Sequence, residues 1–377
     1  MMVTIIEANM TGIQHSYPNG VYTDIVADLF FPKHINLYCS KEHYLELHLK
    51  SNNVNYFPIQ TVAGNKHMLK KFFVEYRNTF NILKYDASNC VIFLSCCPDI
   101  QYFVLRFAKK YKKKKIIIIT HGELEGLLLS GKWKPWSYPF WMSICFRKKL
   151  PNNIYRIVLG ENMKEYLVEN FKENNIFSID QPRDKFRTKN EVLPSVKANI
   201  FAYIGDFMKK KGAQCFIDSE KSISNDSKSE LWVIGRNSIG FQLSKESKVK
   251  LKSQNGEFMP VDEYDFLISK VTYACFPYPS DSYRLTASGA VLDAIRFLKP
   301  IVYIVNPYFN AIFEDAGDIG YPCKNEYEFI KTIELIDNNV DVEKYCSQVD
   351  NLRKLQDKFK KKTIEQEIMK ILEKVNE

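Results

Sequence analysis

Two stretches carry residue types whose spacing could do chemistry. The first, Ser282 to Val302 (SYRLTASGAVLDAIRFLKPIV), runs a small turn, Thr286-Ala287-Ser288-Gly289, into an apolar helix that holds one carboxylate, Asp293. A helix start presents unpaired N–H groups and a dipole that favours an anion. The second, Phe201 to Ile217 (FAYIGDFMKKKGAQCFI), puts Gly205 just after a strand and Lys211-Gly212 at the mouth of the next helix. Glycine there allows close backbone approach, and a lysine beside helix N–H groups makes an anion site. Gly235-Arg236, at the end of the strand ELWVIG, offers another loop and another cation. In the first half, IIIITHGELEG ends a strongly apolar run in His121-Gly122-Glu123. Either His121 or Glu123 could act as a general base toward a hydroxyl, or only orient it.

The elements that must position these residues alternate along the whole chain. Short apolar strands (VTIIEA, INLYCS, VIFLSCC, KIIIITHG, YRIVLG) are separated by longer amphipathic stretches, with helices near Val21 to Phe30 and Asn162 to Phe171. That rhythm predicts βα units and parallel sheets covered on both faces. A polar, proline-containing segment from Gln181 to Val196 interrupts it and reads as a linker. The pattern then restarts with IFAYIG, ELWVIG, VTYACFPYP and PIVYIV, and Asn351 to Val375 reads as one long terminal helix. The predicted fold is therefore α/β, with two Rossmann-like doubly wound domains facing a cleft. The first domain is placed at 1–185 and the second at 186–350. The terminal helix, 351–377, is expected to pack back toward the first domain. Ligands of such folds bind outside the carboxyl ends of the strands.

Bulk composition narrows the class. At 377 residues, with 45% hydrophobic and 26% charged residues, the chain suits a two-domain globular protein. Its formal charge of +9 fits an acidic partner such as phosphate, although lysine runs like Lys112 to Lys115 read as solvated faces, and no nucleic acid is expected. Nine cysteines without metal-ligand spacing read as reduced thiols of a cytoplasmic protein, and no metal is expected. The N-terminus lacks a signal-peptide layout, and no apolar run approaches the roughly 20 residues that span a bilayer.

Taken in order, the pieces of the second half resemble the C-terminal domain of GT-B glycosyltransferases. The likeness is strongest to the retaining family 4, which includes many bacterial polysaccharide and capsule enzymes. It covers about Phe201 to Leu335: Gly205 with Lys211-Gly212, a strand ending at Gly235, Gly256-Glu257-Phe258, a helix over Val261 to Ser269, Pro277 to Pro279, Asp293-Ala294 and Lys299-Pro300-Ile301-Val302. The resemblance implies that Asp293 contacts the ribose hydroxyls of a nucleotide-sugar. It further implies that Thr286, Ala287, Ser288 and Gly289 cradle the diphosphate, and that Lys211, helped by Arg236, neutralises it without a metal. Two positions depart from the family pattern. Leu285 stands eight residues before Asp293, where a sugar-facing Glu is usual, and Asp206 replaces the basic residue that often follows the first loop glycine. Tyr283, Arg284 and Thr286 are candidates to stand in for the missing Glu. The segment EANMTGIQHSYPNG resembles the family's first loop, where Gly12 would approach the donor phosphate. His15 there could touch acceptor or phosphate, or be an ordinary surface histidine.

The segment Ser130 to Leu150 holds three of the four tryptophans, among them Trp133 and Trp136, interleaved with lysines. It suits a lipid interface, a stacking wall for an acceptor, or a loop packed over its domain. The expected function is transfer of a sugar, with a UDP- or GDP-sugar as donor substrate and no cofactor, to a hydroxyl of a glycan or lipid-linked glycan in surface polysaccharide synthesis. The expected location is cytoplasmic, with peripheral contact to the inner membrane. A sugar-nucleotide epimerase of the same fold and a non-catalytic nucleotide- or glycan-binding protein are the alternatives.

Overall fold

The computed structural model describes residues 2–62, 68–238, 247–253, 259–314 and 316–376; the Gly256-Glu257-Phe258 piece of the family pattern lies outside them. The chain divides into two compact units. One comprises Met1–Arg183, Leu285–Ala287 and Phe359–Glu377; the other comprises Asp184–Arg284 and Ser288–Lys358.

In the first unit the described residues form seven parallel strands: β1 (Val3–Glu7), β2 (Ile35–Cys39), β3 (Val54–Pro58), β4 (Cys90–Ser95), β5 (Lys115–Ile119), β6 (Ile154–Leu159) and β7 (Ile176–Ile179). Their order is β3-β2-β1-β4-β5-β6-β7. The unbroken isoleucine run of β5 has a direct cause. Ile117 and Ile119 point into one core with Ile92 and Leu94, while Ile116 and Ile118 point into another with Val91 and Phe93. Successive strand residues alternate in facing, so a sheet covered on both sides must be apolar at every position.

The second unit has six parallel strands among its described residues: β8 (Ile200–Ile204), β9 (Glu230–Ile234), β10 (Val249–Leu251), β11 (Tyr273–Phe276), β12 (Ile301–Ile304) and β13 (Gly320–Cys323). They lie in the order β10-β9-β8-β11-β12-β13. Ala202 sits opposite Trp232 on one side and Ala274 on the other, which fixes the register across the central strands. Both units are doubly wound, Rossmann-like domains of the predicted class.

The C-terminal segment differs from the single long helix that the sequence suggests. A helix over Val342–Leu355 ends in a tight turn, Gln356–Phe359, and a second helix covers Lys361–Asn376. Partners elsewhere in the chain impose this break. The Gln356 side-chain amide donates to the carbonyls of Arg187, Ile295 and Arg296, and the Phe359 carbonyl accepts from the Arg183 N–H. The last helix buries Ile364, Ile368, Ile371, Leu372 and Val375 in the first unit's core, and Lys361 reaches Asp28 at 2.7 Å. Among the described residues no helix is long and apolar enough to cross a membrane. Truncating Ile368 to alanine should therefore loosen the first unit. We expect a loss of roughly 2–5 kcal/mol, the usual range for a buried isoleucine, read as a lower thermal midpoint.

Candidate functional site

In each unit the strand order reverses between two neighbours, β1 and β4 in the first and β8 and β11 in the second. Loops leaving such neighbours turn in opposite directions and open a crevice at their carboxyl ends. In the first unit this crevice holds a cavity of about 320 Å³, lined by Asn9, His15, Lys71, Cys97, His121 and Glu123 among others.

A buried carboxylate, Glu7, supports the cavity from the end of β1. The Ser95 hydroxyl donates to it, 2.7 Å from each oxygen; the Asn9 and Met10 N–H groups donate at 2.9 and 3.0 Å; and the Asn19 amide donates at 3.0 Å. The second Asn19 N–H points to His43 Nε2 at 3.1 Å, while His43 Nδ1 lies 2.8 Å from the Gly12 carbonyl. A carbonyl only accepts, so the proton sits on Nδ1 and Nε2 accepts from Asn19. Glu7, Asn19 and His43 thus hold the loop that carries Gly12. Burial pushes the Glu7 carboxyl up, against those hydrogen bonds. Sequence reading missed this network; its one signal was an acid at the end of a buried strand.

His121 and Glu123 both reach the cavity, but burial acts on them oppositely. It drives the His121 imidazolium down to about 3, with His15 nearby adding to the effect. His121 Nε2 donates to the Leu94 carbonyl at 2.7 Å, and its ring meets His15 edge-on with centroids 5.2 Å apart. It is therefore a neutral, fixed imidazole near pH 7. Burial raises Glu123 to about 7, partly offset by backbone N–H groups, including that of His121 at 2.8 Å. A carboxyl poised near neutrality suits proton transfer better than a histidine this acidic. His15 is exposed at the start of the first helix, Ser16–Phe30.

Beside the cavity, Glu75, Cys97 and Asp99 are the described residues that come close enough to hold a metal. Burial raises all three, Glu75 to about 7, and Lys71 lies 3.7 Å from Glu75. Burial that opposes ionisation, together with an ammonium already in place, disfavours a cation there.

In the second unit, Lys211 ends a tight turn and Gly212 opens the helix Ala213–Asp218. Gly212 has φ +75°, and a Cβ there would lie 1.7 Å from the Pro277 carbonyl oxygen, so only glycine fits. Gly235 has φ +132° and packs on Gly205, whose carbonyl oxygen would be 2.4 Å from a Cβ. Arg236 makes a two-pronged pair with Asp206, at 2.9 and 3.1 Å, tying the loop after β9 to the loop after β8. Lys211 Nζ lies 5.7 Å from the centre of the Tyr283 ring, which stacks on Tyr278 at 4.5 Å. Ser288 precedes the helix Gly289–Arg296; its hydroxyl is 3.3 Å from that of Tyr278, and its carbonyl accepts from Tyr308. Asp293, on this helix, accepts from the Tyr264 hydroxyl at 3.1 Å and lies 3.7 Å from Arg296 Nε.

The structure thus brings Gly205, Lys211, Arg236, Ser288, Gly289 and Asp293 into the second unit, and Gly12, His15, His121 and Glu123 into the first. Thr286 is grouped with the first unit, as are Leu285 and Ala287. Leu285 is buried, and its N–H donates to a Glu125 oxygen at 2.9 Å. Trp133 and Trp136 are exposed. Tyr264, Tyr278 and Tyr308 went unnoticed in the sequence, where tyrosines at strand and helix ends carry no distinctive spacing.

Two doubly wound domains in one chain, each with its crevice at the carboxyl ends, define the GT-B architecture. The sequence matches no protein-family model and no curated protein. Solved structures do match along nearly the whole chain. Anabaena HepE in complex with UDP-glucose superposes with a TM-score of 0.68 at 13% identity, covering 99% of this chain and 100% of that one. A glycosyltransferase from Rickettsia africae gives 0.66 at 12% identity, covering 100% and 99%. WaaG, a glycosyltransferase involved in lipopolysaccharide biosynthesis, gives 0.64 at 12% identity, covering 98% and 99%. At such identities the likeness is one of fold.

Two outcomes test the site. Glu123 titrates near 7 in the folded protein against an ordinary value of 4.5, so its stabilising contribution is complete below about 4.5 and is lost as pH rises through about 7. Glu123→Gln should remove that loss, so the variant gains stability relative to wild type between these limits in denaturation run at several pH values. Gly212→Ala should lower the thermal midpoint sharply, because the Pro277 backbone must move.

Proposed function

We propose that the protein is a glycosyltransferase that moves a hexose from a UDP- or GDP-sugar to a hydroxyl of a glycan or lipid-linked glycan, as in bacterial surface polysaccharide synthesis. The observation that carries this reading is the crevice of the second unit. There two backbone-on-backbone glycine contacts, a lysine beside a helix mouth and a carboxylate inside the helix Gly289–Arg296 gather at the end of β8. Support also comes from the fold shared with HepE, whose structure holds UDP-glucose.

In this reading the C–O bond between sugar and diphosphate breaks, and negative charge grows on the leaving phosphate. Lys211 and the N–H groups around Ser288 and Gly289 stabilise that charge, with no metal required. Asp293, oriented by Tyr264, receives the ribose hydroxyls. The cavity of the first unit takes the acceptor, and Glu123 accepts the hydroxyl proton as the hydroxyl oxygen bonds to the sugar carbon. Retention of anomeric configuration and membership of the retaining family 4 rest on the sequence resemblance. The acceptor side is expected to work in peripheral contact with a membrane.

The test is thermal stability against nucleoside diphosphates. UDP or GDP at about 100 times its Kd should stabilise the protein by about 2.7 kcal/mol. Lys211→Ala and Asp293→Ala should each weaken that nucleotide roughly tenfold or more, the usual loss for a charge-assisted hydrogen bond. A midpoint that no nucleotide moves would reject the transferase, and unchanged affinity in both variants would reject these residues.

A further inference from the structure

Of the three lysines in the turn Lys209–Lys211, two are exposed and Lys211 is half-buried. Two tyrosines hold it, one at each end. At the backbone, the Tyr203 hydroxyl donates between the Asp206 and Lys211 carbonyls, at 3.1 and 3.2 Å, and so closes the loop that leaves β8. At the side chain, the ammonium lies over the Tyr283 ring, which stacks on Tyr278 within 7° of parallel. Tyr283 is buried and keeps a left-handed backbone, φ +57°, which few residues other than glycine adopt unless their surroundings hold them there. The far end of the stack reaches Ser288, whose hydroxyl lies 3.3 Å from that of Tyr278 at the start of the helix Gly289–Arg296. Tyr308 adds a third ring, 6.0 Å from Tyr283. Asp206, the acid of the same loop, is already held by Arg236.

We propose that Tyr283 is a positioning residue, which fixes the Lys211 ammonium for a phosphate group of the ligand without neutralising it. A carboxylate in its place would hold the lysine and cancel its charge. An aromatic face attracts a cation through its quadrupole and carries no formal charge, so the ammonium stays whole for an incoming anion. Burial pushes the Tyr283 hydroxyl up, which keeps the ring neutral. Its partner Tyr278 extends the same stack to Ser288, so one pair of rings spans the gap between the ammonium and that helix start. The strained backbone at 283 is the cost of aiming a ring there. The positioning rests on this geometry; its use on a nucleotide's diphosphate rests on the proposed transferase reading.

Calorimetric titration of the full chain with UDP, GDP, their nucleosides and inorganic pyrophosphate tests the proposal. Tyr283→Leu should weaken the diphosphate about fivefold and leave the nucleoside unchanged, while Tyr283→Phe, which keeps the ring, should stay close to wild type. In a Lys211→Ala background, Tyr283→Leu should cost nothing further, because the ring acts through that lysine. A second measurement needs no change at 283. After reductive methylation with a carbon-13 label, the Lys211 signal, assigned by its loss in Lys211→Arg, should lie upfield of the exposed lysines and move when pyrophosphate binds. Four results would overturn it: equal losses for nucleoside and diphosphate, a loss in Tyr283→Phe as large as in Tyr283→Leu, losses that add in the double variant, or a Lys211 signal among those of exposed lysines. Wild type that binds nucleotide, with Tyr283→Leu unchanged, rejects the positioning and keeps the transferase. Wild type that binds pyrophosphate but no nucleotide, with the losses above, keeps the positioning and rejects the transferase; binding of neither rejects both.

Discussion

Where a parallel sheet reverses its strand order, the loops leaving two neighbouring strands diverge, and their backbone groups pass out of reach of any ladder. Everything else in both sites depends on how those groups are held. The first unit uses a buried carboxylate: Glu7 gathers the N–H groups of Asn9 and Met10, the Ser95 hydroxyl at the end of β4 and the Asn19 amide on the first helix. The second unit instead carries the parallel pairing of β8 with β9 past the strand ends. The Gly205 N–H donates to the Ile234 carbonyl and the Phe207 N–H to the Arg236 carbonyl, and glycine at 235 lets the loops lie that close.

The polar solution sets the proton chemistry of the first unit. Burial drives His121 down to about 3 and Glu123 and Glu75 up to about 7, so near pH 7 the imidazole is neutral and the carboxyls are held toward their protonated forms. His121 is held by the Leu94 carbonyl on one nitrogen, which fixes its tautomer and suits it to orienting a hydroxyl. Glu123, which accepts the His121 N–H, and Glu75 are the groups whose raised pKa brings proton exchange toward neutral pH.

Much of the fold was legible because its signals are local. The apolar run of β5 announces a strand buried on both faces, and the glycine before Arg236 marks a loop that approaches another backbone. Lys211-Gly212 could be read as a helix mouth for the same reason. What escaped depends on distant partners. His43 sits on a short helix, Lys41–Glu46, with no pattern around it, and only the folded chain brings it to the Gly12 carbonyl. The break after Leu355 was invisible because the helical periodicity continues through it; carbonyls near Arg187 and Ile295 capture Gln356 and win against local propensity.

The two departures from the family pattern acquire a physical meaning in the folded chain. Asp206 answers Arg236 with a two-pronged pair between side chains that are both about one-third exposed, so the arginine first serves to lock two loops together. An anion seeking Arg236 would have to compete with a carboxylate already in place, whereas Lys211 stands over an aromatic face that offers no formal charge. Leu285 is buried where an acid would otherwise stand, and the carboxylate nearest its backbone is that of Glu125, which accepts its N–H. An acid in place of Leu285 would have to bury its charge in an apolar core. Leucine at 285 instead packs into the first unit's core, and Glu125 holds its backbone N–H.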